Sequence, residues 1–66
     1  MLKMEKKVVE IKFRFYGETR IIEVLEIDGK EINEMVFMNF NDMVDFLPEY
    51  LADFYDGAYY TLREVK

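Results

Sequence analysis

The stretch 39–57 (NFNDMVDFLPEYLADFYDG) constrains the fold most, because it is the one segment long and periodic enough to form an amphipathic helix. At about 100° per residue, Asp42, Asp45, Glu49, Asp53 and Asp56 fall within an arc of about 80°. Met43, Val44, Leu47, Tyr50, Leu51, Phe54 and Tyr55 fill an opposing arc of about 140°. Asn41 or Asn39 can cap the first turn, Asp42 suits the positive end of the helix dipole, and Asp56-Gly57 is a stop signal. Pro48 opposes continuity, since a proline inside a helix removes one ladder bond and costs about 3 kcal/mol. It predicts either a kink or a short turn over 41–46, followed by a helix that starts near Leu47 and is capped by Asp45.

A helix of this kind needs an apolar surface to cover, and the preceding residues supply one. In 8–16 (VVEIKFRFY), Val9, Ile11, Phe13 and Phe15 alternate with Glu10, Lys12 and Arg14, the period of a strand with one core face. Gly17-Glu18 suits a two-residue type II′ turn into a second strand over 20–27, placing Phe13 opposite Ile22, Ile11 opposite Val24 and Lys12 opposite Glu23. Asp28-Gly29 signals another hairpin and a third strand over 31–38, whose simple register sets Glu23 against Glu34. The doublets Ile21-Ile22 and Val24-Leu25 blur the alternation and indicate a bulge or burial on both faces. Residues 58–65 (AYYTLREV) read as a last strand, parallel to the first or third. The expected architecture is a single α+β domain over 1–66, a two-layer arrangement of one helix on a mostly antiparallel sheet, in the order β-β-β-α-β.

At 66 residues, a single core leaves little net stability, and with neither cysteine nor histidine the chain has no disulfide or thiolate or imidazole metal site to reinforce it. Val8, Ile21, Leu25, Ile27, Ile32, Val36 and Met38 are expected on the sheet face away from Phe13 and Ile22, which makes a homodimer the expected means of covering them. Fourteen acidic against nine basic residues give a net charge of −5, which opposes direct binding of nucleic acid or anionic lipid. No apolar run is long enough to span a bilayer, and MLKMEKK lacks the apolar region of a signal peptide, so the expected location is cytoplasmic.

Ser and Cys nucleophiles are excluded because the chain contains neither, and without His no side chain has an unperturbed pKa near neutrality. Carboxylate pairs such as Asp45 and Glu49 stand at helical neighbour spacing, yet no nucleophile or oxyanion donor accompanies them. The run Asp53 to Gly57 lacks the alternating ligands and terminal Glu of a calcium loop. No enzyme activity, cofactor or metal is therefore expected.

What remains is contact with a protein. Phe46, Tyr50 and Phe54 are expected in the core, leaving Tyr55 and one of Tyr59 and Tyr60 for a partner. The expected partner-binding set is thus Asp42, Asp45, Glu49, Asp53, Asp56, Tyr55, Tyr59 and Tyr60. One function is an inhibitor of the size and acidity of phage-encoded ones, occupying the basic groove of a nucleic-acid-binding enzyme as a DNA mimic. The helix carries roughly one carboxylate per 5 Å of axis, sparser than duplex DNA at about one charge per 1.7 Å. The alternatives are a small homodimeric regulatory or structural protein and, ranked below it, a carboxylate enzyme or metal-binding module.

Overall fold

The computed structural model describes residues 7–66. The alternating run at the start of this range becomes β1 (Val8–Tyr16), and β2 (Ile21–Ile27) pairs with it antiparallel. The connection is not the two-residue turn that Gly17-Glu18 suggests. Arg20 takes the left-handed conformation (φ 63°), its N–H donates to the Tyr16 carbonyl at 2.7 Å, and Tyr16 pairs with Ile21. A type II′ turn needs a positive φ at Gly17, and Gly17 has none. The register therefore slides by two residues, giving Phe15 opposite Ile22 and Phe13 opposite Val24. A slip of two keeps every side chain on its face.

Farther along, Lys12 pairs with Glu26 while Phe13 pairs with Val24, so Leu25 is the extra residue of a bulge. The bulge brings Ile27 opposite Ile11, and both are fully buried. Ile27 accordingly belongs to the core and not to the far face of the sheet, because the extra residue reverses the alternation after Leu25.

The third strand is broken into two pieces. Asp28 and Gly29 both have positive φ (56° and 79°), as a type I′ turn requires, and lead into β3 (Lys30–Glu31). Ile32 and Met35 each keep one backbone hydrogen bond to β2, at Leu25 and Val24, while the chain bows out between them with Glu34 at φ 66°, and pairing resumes two residues out of step in β4 (Val36–Phe37). This takes up the bulge in β2 and sets Glu23 opposite Val36, so the acid pair Glu23/Glu34 never forms. Ile32 and Met35 pack against the core from the intervening loop, which removes Ile32 also from the far face. The order is β-β-β-β-α-β, within the expected two-layer α+β class.

Helix α1 (Phe40–Phe54) runs unbroken through Pro48, so the expected restart near Leu47, capped by Asp45, does not occur. Asn39 is the N-cap, its Oδ1 accepting the Asp42 N–H at 2.9 Å. Met43, Leu47 and Leu51, on both sides of Pro48, are buried with Val9, Ile11, Ile22, Val24 and Ile27. Fully burying each such side chain is worth about 1.5–3 kcal/mol, which together outweighs the roughly 3 kcal/mol cost of the proline. The helix stops where the left-handed Asp56 and Gly57 (φ 54° and 71°) turn the chain, and the N–H groups of Tyr55 and Gly57 both donate to the Leu51 carbonyl.

β5 (Tyr59–Glu64) then pairs parallel with β1, Val9 opposite Tyr60 and Ile11 opposite Leu62. The sheet order is β3-β2-β1-β5, with β4 also on β2. Away from the helix the sheet carries Glu10, Lys12, Arg14, Glu23, Glu26 and Arg63, and all of these but Arg14, whose Nε is buried without a hydrogen-bond partner, are tied to a neighbour. Lys12 pairs with Glu26 at 3.5 Å, Arg63 with Glu10 at 3.4 Å, and the Tyr16 hydroxyl donates to Glu23 at 2.8 Å. Val8, Ile21 and Val36 lie on that face as expected, interspersed with these charges, whereas Met38 lines a groove with Phe13 and Ile22 on the helix side. No helix of the described residues is long and apolar enough to cross a membrane.

Candidate functional site: the outer face of α1

An unbroken helix gathers the acidic residues into one row. Asp42, Asp45, Glu49 and Asp53 are all exposed and cover about 16 Å of axis at roughly 1.5 Å per residue, with Asp56 just beyond the helix end. None of the five has an ion-pair partner among the described residues, while Lys7, Lys12 and Arg63 are paired to Asp28, Glu26 and Glu10. Asp42 gains from the helix dipole, but Asp45, Glu49 and Asp53 repel one another at successive four-residue steps and lie progressively nearer the negative end. Each such repulsion costs a few tenths of a kcal/mol, so the fold does not account for the row.

Beside the acids runs a ladder of rings. Phe46, Tyr50 and Phe54 recur every fourth residue, with centroids 5.7 Å apart for Phe46–Tyr50 and 4.8 Å for Tyr50–Phe54. Phe37 of β4 extends the ladder at 5.4 Å from Phe46. Phe54 is 68% exposed and Phe46 is also exposed, which corrects the expectation that both lie in the core. Met43, Leu47 and Leu51 occupy the middle of the buried face, and the ladder lies on the flank between them and the acids. The signal for this was in the sequence as the four-residue spacing of rings beside a four-residue spacing of carboxylates.

The expected tyrosines divide. Tyr55 packs against the core, 6.4 Å from the Tyr50 ring and 6.0 Å from Lys7 Nζ. Tyr60 also packs against the core, whereas Tyr59 is exposed on the opposite side of the sheet. The structure thus brings the acids together with Phe46, Tyr50 and Phe54, and it does not bring Tyr59 or Tyr60 to them.

A concavity opens between the end of β1 and the start of α1. It is a wide groove of about 830 Å³ lined by Phe13, Phe15, Ile22, Met38 and Phe40, with Arg20, Asn39 and Glu64 at its polar positions. Asn39 is already engaged as the helix cap. Its apolar residues come from separate elements, so no local pattern could have announced it. Among the described residues no group of three or more Asp or Glu is placed to hold a metal ion. No protein-family model, curated protein or solved structure matches the chain.

Proposed function

We propose that the chain is a small protein-binding module that docks the outer face of α1 onto a basic groove, and that a nucleic-acid-binding enzyme supplies that groove. The observation that carries this reading is the unpaired row Asp42, Asp45, Glu49 and Asp53 alongside the exposed rings of Phe46 and Phe54. The row has roughly one charge per 5 Å, far from a duplex at about 1.7 Å and nearer to one strand at about 3.4 Å. Grooves for single strands combine a basic track with surfaces for stacking, and the ring ladder offers π-faces beside the charges as the bases of a single strand do. The face therefore fits a single-strand groove better than a duplex cleft. No catalytic role, cofactor or membrane enters this reading.

Competition tests it. The protein is used to capture its partner from cell extract, and the complex is challenged with single-stranded and with duplex DNA. Displacement by the single strand at the lower concentration is the expected result. A partner retained against saturating nucleic acid of either kind overturns the mimicry.

A further inference from the structure

The outer edge of β5 leads beyond the helix face. Its pairing with β1 uses alternate residues: Tyr59 N–H donates to the Lys7 carbonyl and Val65 N–H to that of Phe13, so the odd-numbered residues turn their backbone groups inward. Tyr60, Leu62 and Glu64 turn theirs outward, and none of the three has a partner on that side among the described residues. The opposite edge is interrupted, since β3 and β4 are two residues each and separated by 32–35. β5 is six residues long, with neither a proline nor a bulge to protect it.

We infer that a second copy of this chain adds to this edge, β5 against β5 antiparallel, about a two-fold axis through Leu62. The strand is self-complementary in that register. Leu62 meets Leu62, and Tyr60 meets Glu64 twice by symmetry, so all three outward-facing residues form hydrogen-bonded pairs. On the helix side the contact brings together Tyr60 and Leu62 of both copies, which are half-buried and already packed against each core. On the other side Arg63 meets Thr61. The strand contains one base and one acid, Arg63 and Glu64, so the net charge of −5 is not concentrated at the seam. The two sheets become one, and the helix faces stay open.

Sedimentation of the full chain should give the mass of a dimer. Glu64 is exposed and its N–H points away from β1, so Glu64→Pro should preserve the circular dichroism spectrum and halve the sedimenting mass. The chain has no native cysteine, so Leu62→Cys should cross-link into a covalent dimer on mild oxidation while Glu18→Cys, in the β1–β2 loop, does not. A monomeric native chain overturns the inference. So does a folded Glu64→Pro variant that stays dimeric, or Leu62→Cys cross-linking no faster than Glu18→Cys; if Glu64→Pro fails to fold, the cross-linking comparison decides.

Discussion

Lys7 Nζ stands 2.6 Å from Asp28 Oδ2, so a residue before β1 is tied to the turn between β2 and β3. The hydrogen bond to Asp28, and then its charge, hold the Lys7 ammonium above the ordinary lysine pKa. Because folding raises this pKa, the pair's contribution is fully present at neutral pH and is lost only as pH climbs past the ordinary lysine value through the folded one. Asp28→Asn should lower the Lys7 pKa toward its ordinary value without breaking the turn, since Asn tolerates the positive φ of that position. An NMR titration of the Lys7 side chain checks this, and an unchanged titration in the variant would contradict it.

The core is centred on Ile11 and Leu47, not on Phe13. Leu47 is fully buried, whereas Phe13 is partly exposed and meets Phe40 edge-on at 6.4 Å. Leu47→Ala should cost about 2–5 kcal/mol, comparable to the roughly 3–5 kcal/mol that a single core supplies at this size. Urea unfolding should place Phe13→Ala closer to the native protein than Leu47→Ala. The reverse order would place the core elsewhere.

Pro48 is exposed, and its place in the helix leaves the Val44 carbonyl without a main-chain donor. Pro48→Ala restores that donor and gives up some rigidity of the unfolded chain, for an expected net gain of about 1–3 kcal/mol. The melting point should rise and the helical circular dichroism signal should not weaken. A lower melting point would mean that the proline ring packs against something that matters.

What could be read from the sequence was whatever local periodicity controls. The core face of β1, the turn at Asp28-Gly29, the helix with its stop at Asp56-Gly57 and the parallel last strand all follow from patterns within a few residues. What could not be read depended on distant partners. The loop into β2 takes Arg20 into the left-handed region instead of Gly17, and the bulge at Leu25 moves Ile27 into the core. Pro48 looked like a break because its local cost is visible, while the burial of Met43, Leu47 and Leu51 that offsets it exists only against the finished sheet. The candidate site was half legible for the same reason. The carboxylates share an arc in any helix, but whether Phe46 and Phe54 face the core or solvent depends on where the helix is laid down.

A binding surface on the acidic row of α1 differs from a merely solvated one in its response to charge removal and to salt. The direct measurement compares the native protein with the triple variant Asp45→Asn, Glu49→Gln, Asp53→Asn for affinity toward the captured partner as ionic strength is raised. The variant should remain folded, since exposed charges contribute little to stability and relief of repulsion at four-residue spacing favours the helix. The native protein should bind tightly at low salt, with association slowing steeply as salt rises, and the variant should lose both the affinity and the salt dependence. A variant that binds the same partner with unchanged affinity and unchanged salt dependence would contradict a binding role for the row.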